Sequence, residues 1–379
     1  MTNSRREFLH VAAAAGGGAL GMSLIPRTAR ARIRRVQRAS EPLRILILGG
    51  TGFTGPFQVR YALERGHTVT IFNRGRTEPT TETEVFDDVE TLIGDRNDNL
   101  EALQDREWDA VIDNSASIPR WVRQTAELLE DSAQVYLFTS SLSVHADNSK
   151  IGITEDDPVA TIEDPTVEQV TGETYGALKA LCEEETRKAF PRGAIIVRPH
   201  LIVGPGDRSD RWTYWPVRIA RGGEVLAPGT PDDPTQYIDA RDLAEFDIHL
   251  IEQRLTGTYS AVGPLAPLTM GGLLHGIRAV VSNDISFTWV DADFLAEQEV
   301  QPWMEVTAWL PPVGETAGFA TFDNSRAVAA GLKYRPLAVT AKDTLDWWEA
   351  LPEERKVRRR AGLAPEKEQA VLRAWHERG

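Results

Sequence analysis

Cysteine and histidine are too scarce and too scattered to build a metal centre. The 379-residue sequence has a single cysteine, Cys182, so it can form no internal disulfide and no cysteine-based metal site. Its seven histidines show neither His-x-His nor His-x-x-x-His spacing, and we expect no metal ligands. Cys182 lies in a predicted helix, where a buried structural thiol is the favoured interpretation.

Basic residues are outnumbered by acidic ones. The chain carries 56 acidic and 42 basic side chains, which gives a formal net charge of -14. Such a surface repels nucleic-acid phosphates unless basic residues are concentrated in one patch, so we expect no nucleic-acid partner. The hydrophobic share of 41% and the aromatic share of 8% are typical of a globular protein with a substantial core.

The N-terminal segment lacks the large aliphatic side chains of a membrane span. Residues 4–9 read SRREFL, and the following stretch VAAAAGGGALGMSL is dominated by glycine and alanine. Paired arginines, a weakly apolar stretch and the small-x-small triplet Ala29–Ala31 predict a twin-arginine signal peptide over residues 1–31. A linker follows over residues 32–42. A chance basic and apolar N-terminus is the alternative.

This segment also predicts a location. The twin-arginine route exports proteins that have already folded, often with a bound cofactor, so we expect a periplasmic or otherwise extracytoplasmic protein. The lack of paired cysteines fits a chain that does not depend on oxidative folding. The expected partners are the twin-arginine export machinery, a small-molecule substrate and, as a candidate assembly, a second copy in a homodimer. No stable membrane span is expected in the mature chain.

A glycine-rich turn follows the first strong strand signal. The apolar run LRILILGG predicts a buried parallel strand, and GGTGFTGPFQVRYALERG continues as a turn and a helix. Gly49 permits the tight turn, Gly52 lets the backbone approach a pyrophosphate, and Gly55 lets the helix pack on the strand. The helix N-terminus adds N–H groups and a positive dipole. With a second strand, HTVTIFN, at the right distance, this pattern predicts a dinucleotide site that includes Phe53 and Thr54.

The end of the second strand favours NADP over NAD. It carries Asn73 and Arg74, where an acidic residue would bind the ribose hydroxyls of NAD and an arginine suits a 2′-phosphate. We therefore expect NADP as the cofactor, with NAD as the alternative, and Arg76 in support of Arg74. A solvated loop charge is the competing interpretation of Arg74. Asp95 either borders the adenine or forms a turn.

Strands and helices alternate along the rest of the chain. WDAVIDNSAS, AQVYLFTSS and AIIVRP read as strands, and Ser115 follows the first of them as a candidate cofactor contact. This rhythm predicts an α/β fold with a doubly wound parallel sheet of the Rossmann type and a smaller, interleaved C-terminal α/β substrate-binding region. The expected parts are an NAD(P)-binding domain (43–200), a substrate-binding region with returning sheet elements (201–350) and a charged helical tail (351–379).

Four ordered motifs together resemble the extended short-chain dehydrogenase/reductases, the NAD-dependent epimerase/dehydratase family. They are the glycine set, the serine-bearing strand end FTSSLSVH, the pair Tyr175-x-x-x-Lys179 and the segment IIVRPHLIVGPGD. The resemblance runs from about Leu43 to the region of Trp347. It implies Ser141, Tyr175 and Lys179 as the catalytic residues.

The chemistry implied by this resemblance depends on a phenol that can exchange a proton. An unperturbed tyrosine has a pKa of about 10, too high for a base at neutral pH. Because a nearby ammonium and an oxidised nicotinamide both stabilise the phenolate, we expect Lys179 and the bound cofactor to lower the pKa of Tyr175, and Lys179 to bind the nicotinamide ribose. Ser141 would hold the substrate oxygen and Pro199 would border the nicotinamide. The alternative is a solvated helix face that carries Tyr175 and Lys179 one turn apart.

Two positions depart from the family pattern. Dehydratases carry Asp-Glu after the catalytic threonine, whereas this chain has Leu142 and Ser143, which disfavours dehydration. Nucleotide-sugar epimerases have an arginine that grips the diphosphate where this chain has Thr235. Arg208, Arg211 and Arg241 are the candidate substitutes for that arginine.

The sequence therefore predicts an NAD(P)-dependent oxidoreductase that transfers a hydride at a carbonyl or secondary alcohol of a small, sugar-like substrate. The first alternative is a sugar or nucleotide-sugar epimerase that retains its cofactor. The second is a non-catalytic RNA-binding relative, which the acidic charge balance and the intact Ser/Tyr/Lys set disfavour.

Overall fold

The computed structural model describes residues 36–114 and 116–378. The predicted signal peptide and Ser115 lie outside these residues. The chain divides into two compact units, Met1–Gln37 and Arg38–Gly379, and the helices and strands described below belong to the second unit. Within the described ranges, no helix has the length and apolar character needed to cross a membrane.

Twelve strands are assigned in the described residues. They are β1 (Arg44–Leu48), β2 (Thr68–Asn73), β3 (Glu90–Ile93), β4 (Ala110–Asp113), β5 (Val135–Thr139), β6 (Ala194–Pro199), β7 (Ile202–Val203), β8 (Gly223–Pro228), β9 (Pro234–Asp239), β10 (Gly257–Ala261), β11 (Gly263–Thr269) and β12 (Ile285–Val290).

The α-helices alternate with the strands in the first half of the chain and accumulate in the second. They are α1 (Gly55–Arg65), α2 (Pro119–Leu129), α3 (Tyr175–Ala189), α4 (Tyr214–Ala220), α5 (Ala240–Gln253), α6 (Met270–Arg278), α7 (Ala292–Glu297), α8 (Ser325–Ala329), α9 (Leu337–Glu349), α10 (Glu353–Val357) and α11 (Pro365–Glu377). Short 3-10 turns lie at Thr83–Asp88, Glu101–Leu103, Leu142–Val144 and Gly314–Thr316.

Seven strands form one parallel sheet in the order β10-β6-β5-β4-β1-β2-β3. The chain runs outward from β1 in one direction through β2 and β3 and in the other through β4, β5 and β6. The strand order therefore reverses between β1 and β4, and ligands of open α/β sheets bind at the carboxyl ends of the strands at such a point. The predicted doubly wound parallel sheet is confirmed.

Both faces of the sheet are covered, which explains the continuous apolar character of its strands. Ile45 and Ile47 point to the face covered by α1 and α5, whereas Leu46 and Leu48 point to the face covered by α2 and α3. Cys182 packs on the second face and is buried, as the sequence predicted for a structural thiol.

The second half of the chain adds a smaller α/β region. Strands β11, β9 and β7 form a three-stranded sheet, and β12 pairs with β8 in parallel. Their shared apolar cluster contains the fully buried rings of Trp212, Trp215 and Trp309. Strand β10 returns to the edge of the main sheet, so the two regions are interleaved along the chain.

A buried ion pair fastens the last helix to the smaller region. Arg218 on α4 donates from Nε to Glu368 Oε2 on α11 over 2.6 Å, and both side chains are buried. Glu368 also accepts a hydrogen bond of 3.1 Å from the backbone N–H of Leu226. Val371 and Leu372 of the same helix join the apolar cluster. The charged tail is therefore docked on the protein.

Replacing Glu368 tests this fastening. Glu368→Gln leaves the charge of Arg218 buried without a carboxylate, so we expect a loss of about 3 kcal/mol in the free energy of unfolding. Chemical denaturation measures it. Glu366→Gln, an exposed change in the same helix, is the matched control and should stay within about 0.5 kcal/mol of the parent. Equal stabilities of the two variants would show that the pair does not hold the helix.

Candidate active site

The turn after β1 has the geometry that its glycines predict. Gly49 has a φ of 86°, a left-handed conformation that favours glycine, and its N–H donates to Phe72 O over 2.9 Å. A Cβ on Gly55 would lie 2.2 Å from the carbonyl oxygen of Gly50, so only glycine lets α1 start this close to the strand end. Thr54, buried before the helix, packs there and lines neither of the two cavities described below.

A cavity of about 200 Å³ lies beside this turn at the carboxyl edge of the sheet. It brings together Gly49, Gly52, Asn73, Arg74 and Asp95, which the sequence assigned to the cofactor. The Asn73 side chain accepts a hydrogen bond from the N–H of Gly75 over 2.7 Å, and Asp95 accepts one from the N–H of Asn97 over 3.1 Å. Asp95 thus both forms the turn and borders the cavity. Their contacts with a nucleotide stay predictions.

Sequence reasoning missed the buried cluster behind this cavity. Arg96 donates from Nη1 to Asp113 Oδ1 over 2.7 Å, and the Tyr136 hydroxyl donates to Asp113 Oδ2 over 2.7 Å. Burial and the negative charge of Asp113 raise the pKa of Tyr136 well above its usual value. The cluster ties β4, β5 and the segment after β3 together beneath the cavity. Its members lie on three separate segments, and nothing in the local sequence pattern marks them.

A second cavity, of about 480 Å³, lies on the other side of the glycine turn. It is lined by Phe53, Ser141, Tyr175, Lys179 and Pro199, all of which the sequence assigned to the site. Its wall also contains residues that the sequence analysis did not assign to the site, among them Asn114, Ala116, Ser117, Thr139, Trp303 and Phe319.

Ser141 and Tyr175 meet in this cavity. Ser141 precedes the 3-10 turn Leu142–Val144, and its hydroxyl accepts a hydrogen bond from the N–H of Ser143 over 3.1 Å. Burial raises the pKa of Tyr175, while a hydrogen bond from Ser141 and the positive charge of Arg211 act to lower it. The structure therefore places two predicted catalytic residues in the wall of the same cavity.

Lys179 is held by backbone groups. Its ammonium donates to the carbonyl oxygens of Ala116 and Thr139 over 2.9 and 2.6 Å, and burial lowers its pKa to about 8. Burial raises the pKa of Tyr175, and the cation that acts against this rise is Arg211. Acidification of Tyr175 by Lys179 and an oxidised nicotinamide stays a prediction for the cofactor-bound protein. Two backbone carbonyls hold the Lys179 ammonium beneath the site.

A buried ion pair between Glu183 and Arg198 holds the helix α3, which carries Tyr175 and Lys179. Glu183 lies one turn after Lys179 on α3 and accepts two hydrogen bonds of 2.8 Å each from Arg198 on β6. Glu183 also accepts a hydrogen bond of 2.6 Å from the hydroxyl of Ser140, the neighbour of Ser141. The same carboxylate therefore connects the tyrosine-bearing helix to the serine-bearing strand end.

A chain of hydrogen bonds reaches the cavity from the opposite face of the sheet. Gln58 Nε2 donates to Asp247 Oδ2 over 2.6 Å and to Asn114 Oδ1 over 3.1 Å. Thr139 donates to the same Asn114 oxygen over 3.0 Å. Burial raises the pKa of Asp247 to about 8, so this carboxyl is protonated at neutral pH. The chain fixes the amide of Asn114 in the cavity wall.

The three candidate diphosphate-binding arginines have different surroundings. Arg241 is paired with Asp239 and Asp343. Arg208 lines both cavities and donates to the carbonyl oxygen of Thr51 over 3.1 Å. Arg211 faces the larger cavity, 5.2 Å from the ring centre of Trp303.

The residues described here contain no cluster of three or more His, Cys, Asp or Glu side chains that could hold a metal ion. His200, in the cavity wall, packs against Trp303, Phe319 and Phe322. Burial lowers its pKa to about 4, so its ring is neutral at pH 7.

Comparison with known proteins places this site in a family. Residues 45–261 match the NAD dependent epimerase/dehydratase family. Chloroplast stem-loop binding protein of 41 kDa b from Arabidopsis thaliana is 32% identical over 218 residues, which cover 54% of this chain and 54% of that protein. 2-alkyl-3-oxoalkanoate reductase from Stenotrophomonas maltophilia (strain K279a) is 28% identical over 224 residues, which cover 54% of this chain and 64% of that protein.

The fold also matches solved structures. UDP-glucuronic acid 4-epimerase from Bacillus cereus, in complex with NAD, superposes with a TM-score of 0.56 at 17% identity and covers 80% of this chain and 96% of that one. The matched region spans roughly half to two thirds of the two curated relatives, at 54% and 64% of their lengths.

Proposed function

This chain belongs to the NAD-dependent epimerase/dehydratase family, and we propose that it is an NAD(P)-dependent oxidoreductase acting on a carbonyl or secondary alcohol of a small substrate. The observation that carries the proposal is the meeting of Ser141 and Tyr175 in one cavity at the carboxyl edge of the sheet, above the buried Lys179. A cavity at this place is where open α/β folds bind their ligands.

The two cavities suit the two halves of a dinucleotide. They lie on either side of the turn Gly49–Gly55, and Arg208 borders both. A Cβ on Gly52 would come no closer than 3.6 Å to Gly49 O, so a ligand can approach the backbone here. The smaller cavity would take the adenosine half, and the larger one the nicotinamide together with the substrate. The relative from Bacillus cereus, whose name includes bound NAD, adds support.

Ser141, Tyr175 and Lys179 would have different roles in the reaction. A bound nicotinamide would supply or accept the hydride. Ser141 would hold the substrate oxygen by a hydrogen bond, and Tyr175 Oη would give a proton to that oxygen during reduction or take one during oxidation. A raised pKa keeps Tyr175 protonated at neutral pH, which suits the reducing direction. Lys179 would hold the backbone beneath the nicotinamide.

An epimerase with a retained cofactor is the second candidate. Free NADPH is not expected outside the cytoplasm, so export of the chain would favour a reaction that regenerates its cofactor in place. RNA binding, which the name of the Arabidopsis thaliana relative describes for that protein, is not favoured here. The net charge of -14 and the complete Ser/Tyr/Lys set both argue against it.

Tyr175→Phe tests the enzymatic proposal. Loss of the hydroxyl should lower kcat by about 10³-fold on any carbonyl or sugar substrate found by screening, because general acid and base catalysis contributes on this scale. Nucleotide binding should be retained, since the ring stays in place. Steady-state kinetics and nucleotide titration measure the two effects, and Tyr61→Phe on α1 is the control.

Cofactor consumption in the same assay separates the two enzymatic candidates. Net oxidation of added NADPH or NADH indicates a reductase, whereas turnover without net consumption indicates an epimerase. Near-normal kcat in Tyr175→Phe would remove this residue from the mechanism and with it the proposed function.

The choice of NADP over NAD is tested at Arg74. This side chain is exposed and borders the smaller cavity, where it would pair with a 2′-phosphate. Arg74→Gln should weaken NADP binding by about 10-fold or more and leave NAD binding unchanged, because only NADP carries that phosphate. Calorimetric titration with each nucleotide measures this. Arg123→Gln, an exposed change on α2, is the control, and equal losses for both nucleotides would contradict the assignment.

Export by the twin-arginine route is likewise a proposal. Changing Arg5 and Arg6 together to lysine should leave the full-length chain in the cytoplasm, while the parent loses residues 1–31 and appears in the periplasm of a suitable bacterial host. Cell fractionation and intact mass measure both. A parent that stays cytoplasmic at full length would contradict the signal-peptide assignment.

A further inference from the structure

One cation in the wall of the larger cavity has no anionic partner. Among the side chains of residues 36–114 and 116–378, no carboxylate forms a salt bridge with the guanidinium of Arg211. Its guanidinium carbon lies over the ring of Trp303, 5.2 Å from the ring centre. The side chain is partly buried, and this burial lowers its pKa.

Asp207 is the carboxylate whose charge acts on Arg211, but the two side chains form no salt bridge. The negative charge of Asp207 acts to raise the pKa of Arg211, but both carboxylate oxygens of Asp207 accept hydrogen bonds from other residues. Asp207 Oδ1 accepts hydrogen bonds from the N–H and the hydroxyl of Ser209, over 2.8 and 2.7 Å, and Oδ2 accepts one from Thr213 over 3.1 Å. These bonds stabilise the turn that precedes α4. A partly desolvated guanidinium without an ion pair is costly unless an anion arrives with a ligand.

The other basic side chains of the cavity are already engaged. Lys179 donates to two backbone carbonyls, and Arg208 donates to the carbonyl oxygens of Thr51 and Glu78. His200 is neutral at pH 7 because burial lowers its pKa to about 4. Arg208 uses only Nη2 in these bonds, whereas within residues 36–114 and 116–378 the guanidinium of Arg211 donates no hydrogen bond to a protein group, so all of its N–H groups are open to a bound molecule.

The position of Arg211 relates it to the reacting centre. It borders the same cavity as Ser141 and Tyr175, and its positive charge acts on the Tyr175 hydroxyl. Trp303 and Phe319 form an apolar wall next to it. A molecule that places an anionic group at Arg211 and a carbonyl at Ser141 and Tyr175 would leave its apolar part against these rings.

The sites that would hold a nucleotide diphosphate are occupied by structural contacts. Thr235, at the position of the arginine in nucleotide-sugar epimerases, is buried and donates to Ala308 O over 3.0 Å. Gln236 exchanges two hydrogen bonds of 2.9 Å with the backbone of Phe322. The cavity of about 480 Å³ must also take the nicotinamide, which leaves room for a small molecule. A carboxylate is therefore the fitting anion.

We propose that Arg211 binds the carboxylate of the substrate and that the substrate class is an oxoacid or the corresponding hydroxyacid. This inference rests on the proposed oxidoreductase function. In the reducing direction, a bound NAD(P)H would supply the hydride for the carbonyl carbon. The π electrons of the C=O bond would then move to oxygen, and Tyr175 would give its proton to that oxygen. Solvent then returns a proton to Tyr175, and the carboxylate at Arg211 is unchanged.

A charged and a neutral substrate of the same carbon skeleton test this proposal. The probes are 3-oxooctanoate and its methyl ester, and the variants are Arg211→Gln and Arg211→Lys in the full chain. The parent should reduce the acid with a kcat/KM about 10²-fold above that of the ester, as expected for a charge-assisted hydrogen-bonded pair. Arg211→Gln should lose about 10²-fold on the acid and little on the ester, and Arg211→Lys should fall between.

Two controls make the result specific to Arg211. Arg278→Gln removes one positive charge, as Arg211→Gln does, but at an exposed position on α6. This variant should match the parent on both substrates. Octanoate, which has no reactive carbonyl, should bind to the protein with NADP present, as seen by calorimetry, and should lose binding in Arg211→Gln. This binding assay reports on Arg211 whether or not hydride transfer occurs.

The outcomes separate the inference from the function on which it rests. Reduction of acid and ester at equal rates, or unchanged acid preference in Arg211→Gln, overturns the carboxylate site and leaves the oxidoreductase intact. Binding of octanoate that depends on Arg211, with no carbonyl reduced, supports the site and contradicts the function. Binding of UDP that depends on Arg211, with no binding of octanoate, overturns the oxoacid class in favour of a nucleotide diphosphate.

Discussion

The site depends on how helix α3 is fixed to the carboxyl edge of the sheet. Lys179 places a buried ammonium between the carbonyl oxygens of Ala116 and Thr139, and Glu183 binds Arg198 and Ser140 one turn later. Each of these contacts replaces the hydration that a buried charge would lose, so neither residue can move without a large cost. Because Tyr175 lies one turn before Lys179 on the same helix, these contacts also fix Tyr175 in the wall of the cavity that Ser141 lines.

Lys179 and Arg211 act on different parts of this site: Lys179 binds backbone carbonyls, and Arg211 acts electrostatically on Tyr175. The ammonium of Lys179 donates its hydrogen bonds to backbone carbonyls, and burial lowers the pKa of Lys179 to about 8. The cation that acts on Tyr175 is Arg211, which comes from the smaller region. A ligand anion at Arg211 would neutralise that charge and raise the pKa of Tyr175 further, so the hydroxyl would keep its proton until hydride transfer makes the substrate oxygen basic. Substrate binding and proton transfer would then be coupled through one guanidinium.

The local sequence predicts the glycine turn well. It does not reveal the hydrogen bonds of Lys179 and Gln58 that support the cavity wall. The strand, the turn Gly49–Gly55 and the helix are contiguous, so spacing and residue type suffice to identify them. The partners of Lys179 lie 63 and 40 residues away, and those of Gln58 include Asp247, 189 residues away. Such pairs have no periodic signature. The sequence therefore does not indicate that two backbone carbonyls bind the Lys179 ammonium, since they become its neighbours only after the sheet has formed.

The short segment Asp207–Arg211 connects three parts of the molecule. Arg208 contacts the glycine turn through Thr51, and Arg211 lines the larger cavity. Asp210 lies between them with a φ of 60° and accepts hydrogen bonds from Arg355 Nη1 over 3.0 Å and from the N–H of Arg360 over 2.9 Å. The strained backbone at Asp210 is thus held by the C-terminal segment. Residues after the family-matched region therefore help to set the distance between the glycine turn and the arginine that is proposed to bind the substrate.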